Sequence, residues 1–514
     1  MKRAGAGVSE QEEQARECEG RQPGGEPLER VVGLHSGGRQ KRSLQLAQKY
    51  GNVFSLRLGR SRIVVVNGYK MAKEALVNQP DAILGRSEDP VFKRINKLYG
   101  VVLSSGYRWK QNRRFMLTTL RNFGVGKSSL EFSITEEFKH FQLAIQEEQG
   151  RPFDPHFLIN NVVSNIICSI VFGRRFEYSD QRFQELLHLI YEALYLEGTI
   201  WAELYNAFPT IMKVLPGRHH VMFSDYDKVV EFLRTEIEEH KKHLDPEAPR
   251  DFIDCYLEEI EKRKEDMEAE FHEENLSYCL LDLFVAGTET TSTTLRWALL
   301  YMMKYPDVQE VRRMRFVVSR SRPFQEEEED TMGCRKLTAT PAFVSVEKVQ
   351  KEIDAILGRD QPPSMQDRNS LPYTNAVIHE IQRMADVIPL NQARQAIEDM
   401  SLGGHFIPKD TAVIINLNSV LFDEEEWEDP STFKPEHFLD ASGKFLRRDA
   451  FFVFSAGKRS CVGEPLARME LFLFFTSLLQ KFTFLPPEGL EPSLDFQKGI
   501  TRVPVSFKIR AIPR

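Results

Sequence analysis

The chain has 514 residues, 41% hydrophobic and 28% charged, a balance that supports a large buried core and excludes fibrous or wholly disordered classes. Its net charge of -7 at pH 7 excludes wholesale binding to nucleic acid, which needs a basic field over the surface. No apolar run reaches the roughly 18 residues of a membrane-spanning helix, and the opening MKRAGAGVSEQEEQ has no signal-peptide apolar region.

Residues 1–41, rich in Gly, Glu, Gln and Arg, are expected to form a disordered leader, with order beginning near Ser43. VFSLRLG and RSRIVVVNG are predicted as two strands around a turn near Gly59 and Arg60, followed by a helical YKMAKEALVN. Apolar residues then recur at three- and four-residue intervals through Phe132–Glu148, Phe183–Leu196, Tyr226–His243, Leu276–Lys304, Glu347–Leu357 and Tyr373–Met384, which predicts amphipathic helices. Val311–Val346 breaks that pattern with an acidic run, Pro and Thr and is expected to be an inserted loop. DTAVIINLN and VPVSFKIRAI alternate as strands do, so the fold class is mostly α with small β-sheets.

The six cysteines, Cys18, Cys168, Cys255, Cys279, Cys334 and Cys461, form no CxxC pair, which argues against a disulfide framework or structural zinc. A lone cysteine is ordinarily a small buried hydrophobe. Cys461 differs in its setting, Phe454-Ser-Ala-Gly457-Lys-Arg459-Ser-Cys461-Val-Gly463, followed directly by the helical run LARMELFLFFTSLLQKF. A thiolate at a loop-to-helix junction gains from the positive helix end, which is expected to lower its pKa as a metal ligand requires. Gly457 and Gly463 allow tight turns beside a flat cofactor, Phe454 packs by the sulfur, and Arg459 offers a cation to an acidic group on that cofactor.

The pattern FxxGxRxCxG resembles the haem loop of the cytochrome P450 family, with Cys461 as proximal ligand to the iron of haem b. Ala286-Gly287-Thr288-Glu289-Thr290-Thr291 resembles that family's [AG]Gx[DE]T[TS] segment on the helix crossing the distal haem face. Ala286 and Thr290 share a helical face, Gly287 is expected to leave room for a diatomic molecule, and Glu289 with Thr290 forms an acid–alcohol pair for proton relay. Glu380-Ile-Gln-Arg383 and Phe433-Lys-Pro435-Glu436-His437-Phe438 resemble the family's buried Glu-Arg-basic triad, with His437 in place of the commoner arginine and therefore sensitive to protonation. Trp109-Lys-Gln-Asn-Arg113 resembles the WxxxR helix that reaches a haem propionate, and Lys97 is a candidate second cation.

The motifs occur in family order from about Ser43 onward, so the resemblance implies one domain over 42–514 with the insertion at 311–346. Likeness is greatest to microsomal family 2, in its fatty-acid epoxidising and drug-oxidising branches. That implies O2-dependent hydroxylation or epoxidation of polyunsaturated fatty acids such as arachidonate and of xenobiotics. Substrate contacts are implied in the loop before Trp109 and at Phe284, Ala286, Val387, Ile388, Leu390 and Ile500. A haem-thiolate isomerase or synthase, or a non-catalytic variant inactivated by the insertion, are the rival readings. No GxGxxG with an acidic partner is seen, so neither NADPH nor flavin is expected to bind this chain. Electrons would come from NADPH-cytochrome P450 reductase, with cytochrome b5 a further partner, docking on a basic face of Lys110, Arg113, Arg114 and Lys458. The resemblance implies the cytosolic face of the endoplasmic reticulum membrane. The family's anchor is not recognised in the sequence, which leaves the cytoplasm as the alternative. Ala393, where proline is usual, and Asp410, where glycine is usual, are departures that bear on local strand geometry.

Overall fold

The computed structural model describes residues 39–58, 61–305, 347–497 and 499–514. Most of the expected leader and all of the expected insertion lie outside the described residues. Order within them begins at Arg39, four residues before Ser43, as the first turn of a helix.

Eleven described helices have ten residues or more: α1 (Arg39–Tyr50), α2 (Gly106–Asn122), α3 (Ser128–Glu147), α4 (His156–Val171), α5 (Gln181–Glu197), α6 (Arg218–Lys242), α7 (Phe252–Lys262), α8 (Glu273–Lys304), α9 (Glu347–Ile356), α10 (Pro372–Ala385) and α11 (Glu464–Lys481). All six periodic segments are helical, with ends shifted by a few residues; α6 starts eight residues before its expected Tyr226. Helix α4 gave no periodic signal because nearly all of it is buried, which leaves no polar stripe.

Strands β1 (Val53–Leu58) and β2 (Ser61–Val66) pair antiparallel as predicted. With β3 (Gly85–Arg86), β4 (Arg394–Gln395) and β7 (Ala412–Ile415) they form a sheet ordered β1-β2-β7-β4-β3. β5 (Met400–Leu402) and β6 (His405–Ile407) make a hairpin, β8 (Phe482–Leu485) pairs with β11 (Arg510–Pro513), and β9 (Phe496–Gln497) with β10 (Val503–Pro504). DTAVIINLN keeps only Ala412–Ile415 as strand before a short helix, Leu417–Leu421. VPVSFKIRAI is two strands, β10 and β11, with an irregular middle. Asp410 takes φ +64°, a left-handed turn that aspartate tolerates better than most residues, which accounts for a glycine being usual there.

Helix α8 organises the core. It packs against α4, α6, α10 and α11, which bury it on several sides. Glu273 and Glu274 in its first turn and Lys304 in its last match the helix dipole.

Candidate functional site

The Cys461 loop is pinned from both sides. Its N–H donates to the Phe454 carbonyl at 3.0 Å, and Arg113 Nη2 donates to the Ser460 carbonyl at 2.5 Å. Phe454 lies under the Arg468 guanidinium, 5.0 Å from its ring centre. Gly457 has φ +73°, and a Cβ there would stand 1.9 Å from the Leu76 carbonyl oxygen. Gly457→Ala therefore combines a left-handed strain of about 1–2 kcal/mol with an overpacking cost of about 1–3 kcal/mol. We expect a variant destabilised by about 2–5 kcal/mol in chemical denaturation, with reduced haem content. Gly463 has φ -84°, and a Cβ there would meet only Cys461 Sγ at 3.8 Å, so neither turn geometry nor packing within the chain demands a glycine at that position.

Cys461 is solvent-accessible yet set deep among protein atoms. Burial pushes its thiol above the usual range, against the pull of the Gly463 and Glu464 N–H groups and Arg113. The sequence reading expected a lowered value; desolvation outweighs the helix end.

Arginines from four distant segments converge beside this loop. Arg86 on β3 opposes Arg394 on β4, while Arg113 comes from α2 and Arg459 from the cysteine loop. Their hydrogen bonds run to backbone carbonyls and the Ser455 hydroxyl, and among the described residues none of the four forms an ion pair. Arg459 stacks 3.9 Å from the Trp109 ring centre. Burial, then repulsion from Arg394, Arg459 and Arg113, holds Arg86 well below its usual range. Burial, then Arg394 and Arg113, takes Arg459 down to about 8, and burial with Arg113 takes Arg394 to about 10. Trp109 Nε1 and Arg394 Nε are buried donors without a partner. Sequence reasoning found Trp109, Arg113 and Arg459 but missed Arg86 and Arg394. It also misplaced Lys97, which is exposed and paired with Glu274 on α8, with φ +52° turning it out from the end of a short helix.

Glu380 and Arg383 are fully buried, with Arg383 Nε and Nη2 donating to Glu380 Oε2 and Oε1 at 2.8 and 2.7 Å. Arg383 also donates to the carbonyls of Leu421, Pro430 and Thr432. His437 Nδ1 lies 3.2 Å from Glu380 Oε1, and its Nε2 lies 2.5 Å from the Glu428 carbonyl. A surface ion pair is thereby excluded.

On α8, Ala286, Glu289 and Thr290 line a mostly apolar cavity of about 470 Å³, together with Val102, Leu103, Val285, Ile388, Leu390 and Ile500. The Thr290 hydroxyl donates to the Ala286 carbonyl at 2.8 Å. Glu289 Oε1 accepts from Thr293 and Thr501 at 3.2 and 3.3 Å, and burial raises its carboxyl above the usual range.

Three expectations on and near this helix are corrected. Phe284 is fully buried against Phe172, because two positions from Ala286 is about 200° round the helix. Val387 packs on the core and its carbonyl holds the Arg502 N–H, away from the cavity lining. The missing side chain of Gly287 faces α4, where a Cβ would stand 2.4 Å from Ile167 Cδ1; this glycine seats helix on helix rather than making room for a ligand.

The family model for cytochrome P450 matches residues 23–328 and 345–511. The chain belongs to the cytochrome P450 family. It is 50% identical to cytochrome P450 2J2 of Homo sapiens over 467 residues, covering 91% of this chain and 86% of that relative. It is 48% identical to cytochrome P450 2J1 of Oryctolagus cuniculus over 478 residues (92% and 88%), and 43% to cytochrome P450 2C23 of Rattus norvegicus over 473 residues (91% and 88%). Membership in this P450 family makes the chain a haem-dependent monooxygenase, an oxidoreductase that uses O2, a redox partner and lipophilic substrates.

The family's cofactor is haem b, and the residues present fit it. Uncompensated buried arginines and the unpartnered donors of Trp109 and Arg394 suit two propionates, while Cys461 suits the iron.

Proposed function

We propose that this P450 hydroxylates or epoxidises polyunsaturated fatty acids such as arachidonate, and xenobiotics, with electrons from NADPH-cytochrome P450 reductase. The observation that carries the reading is the apolar cavity of about 470 Å³ bounded on α8 by Ala286, Glu289 and Thr290. A cavity of that size and polarity suits a lipophilic chain or ring and positions it by shape. The likeness of the sequence to the fatty-acid epoxidising and drug-oxidising branches of microsomal family 2 supports the substrate class.

Haem, when bound, supplies the oxygen chemistry, through iron held by Cys461. The chain's own residues do the rest. Trp109, Arg113, Arg394 and Arg459 would hold the acidic edge of the cofactor. Ile388, Leu390, Val285 and Ile500 present the substrate and keep water out. Glu289, buried and hydrogen-bonded, carries a proton beside the Thr290 hydroxyl, and this acid–alcohol pair favours oxygen activation over a reductase-independent isomerase. Glu289→Gln keeps both threonine contacts and removes the proton; product formation should fall about a hundredfold while substrate-induced spectral shifts persist.

Lys110 and Arg114 are exposed on α2 and offer the partner a basic face. Arg113 turns inward to Ser460, and Lys458 pairs with Asp81 at 2.5 Å, so the expected patch of four narrows to two. Cytochrome b5 would use the same face. No described helix is long and apolar enough to cross a membrane. Attachment to the cytosolic face of the endoplasmic reticulum is inferred from likeness to microsomal family 2. The deciding experiment incubates purified protein with the reductase, NADPH and arachidonate: epoxide or hydroxide products that require all three support the proposal, and substrate turnover without NADPH overturns it.

A further inference from the structure

A second cavity, of about 460 Å³, lies beside the cysteine loop, where Phe454, Ser455 and Ala456 form part of its wall. It shares no residue with the substrate cavity. Four arginines line it, Arg368, Arg447, Arg448 and Arg468, against two carboxylates, Asp449 and Glu464. Glu464 is paired with Arg468, one turn further along α11, at 2.8 Å, and Asp449 is exposed to water. Arg368 Nε donates to Asn375 Oδ1 at 2.9 Å and Arg448 Nη2 donates to the Glu426 carbonyl. Among the described residues neither of these two arginines nor Arg447 forms an ion pair.

The floor of the cavity is fixed by α10. His379 Nδ1 donates to the Asn375 carbonyl at 2.7 Å, and its bare Nε2 accepts from Arg468 Nη1 at 3.0 Å. Burial, then Arg468 and Arg368, takes His379 down to about 3, so the ring is neutral and adds no charge. Asn375 thereby holds His379 through its backbone and Arg368 through its side chain. Phe438, Phe445 and Phe451 pack round His379 with ring centres 5.4, 4.6 and 5.0 Å away. Arg368 is half-buried, and burial, then Arg468, lowers it to about 10. Its guanidinium has given up water without gaining a counter-charge, as have the arginines that fit the haem propionates.

We infer that this cavity binds the phosphate group of a small molecule, with Arg368, Arg447 and Arg448 as its cationic partners and Phe445 and Phe451 as apolar walls for the rest of the ligand. A phosphate monoester carries close to two negative charges and three strong acceptor oxygens, which match several forked guanidiniums better than one carboxylate does. The volume falls in the range of about 300–1,000 Å³ usual for small-molecule sites, which leaves room beyond the phosphate for a ring-sized body. Neither haem chemistry nor the identity of the oxidised substrate enters into this assignment.

Adenosine monophosphate is the probe, titrated calorimetrically into the full-length holoprotein. Saturable one-to-one binding is expected, with adenosine about tenfold weaker and inorganic phosphate displacing the nucleotide. Arg368→Gln and Arg447→Glu should each weaken binding about tenfold and retain the reduced carbon monoxide spectrum. Arg447 is exposed, so its variant should fold even where Arg368→Gln, which loses the Asn375 contact, does not. Arg368→Lys keeps the charge but not the fork and should restore binding only in part. Absence of saturable binding, equal affinity for adenosine, or unchanged affinity in Arg447→Glu overturns the site. Binding confined to vesicles containing phosphatidic acid, without competition from adenosine monophosphate, overturns it too, because the occupant is then a membrane lipid.

Discussion

A Cys461→Ala variant should show no red-shifted Soret band when reduced under carbon monoxide, and its reductase-dependent turnover should drop to background. The substitution removes the sulfur at the loop-to-helix junction that would ligate the haem iron and supply its thiolate character. Haem content need not vanish, because Trp109, Arg113, Arg394 and Arg459 would hold the propionate side independently of the thiolate. Measuring haem by its pyridine adduct alongside the carbon monoxide spectrum separates the two contributions. A retained thiolate band in the alanine variant would remove Cys461 as ligand and leave one of the five other cysteines to account for it.

The second large effect belongs to Arg383. Arg383→Ala leaves the fully buried Glu380 without its bidentate arginine, with only His437 Nδ1 and the Lys434 N–H near it, a loss of about 3–5 kcal/mol by the behaviour of broken buried pairs. It also frees the carbonyls of Leu421, Pro430 and Thr432, which Arg383 ties together across the segment leading to the cysteine loop. Arg383→Lys keeps the charge but cannot reproduce the two-pronged contact with Glu380 or reach three carbonyls at once, so only partial rescue is expected. Holoprotein yield from cell extracts and thermal unfolding of what survives provide the readout. Near-normal stability of Arg383→Ala would show that the pair is dispensable to the fold.

The site was legible where chemistry is compressed into a short stretch. Phe454 to Gly463 specifies loop, turn and ligand within ten residues, and the Glu380–Arg383 pair needs only one helical turn. What escaped is what only pairing in space creates. Arg86 and Arg394 are unremarkable in sequence, yet β3 and β4 set them opposite one another. Conversely, Phe284 sits two positions from Ala286 but on the opposite helical face, and Lys97 in a left-handed turn pairs outward with Glu274. Gly287 carried the right motif for a different reason, close packing of α8 on α4. Helix α4 itself was missed since uniform burial erases the amphipathic signal.

The arginine cluster bears on how the polypeptide closes. Arg86 and Arg113 lie in the first quarter of the chain and Arg394 and Arg459 in the last, so docking the ends of the chain gathers like charges that repel until an anion arrives. A bound haem would supply the counterion at this seam, so binding of its acidic edge would be coupled to the docking of the two ends of the chain. Ligand capture and tertiary closure become one thermodynamic event, with haem availability setting how much native protein accumulates.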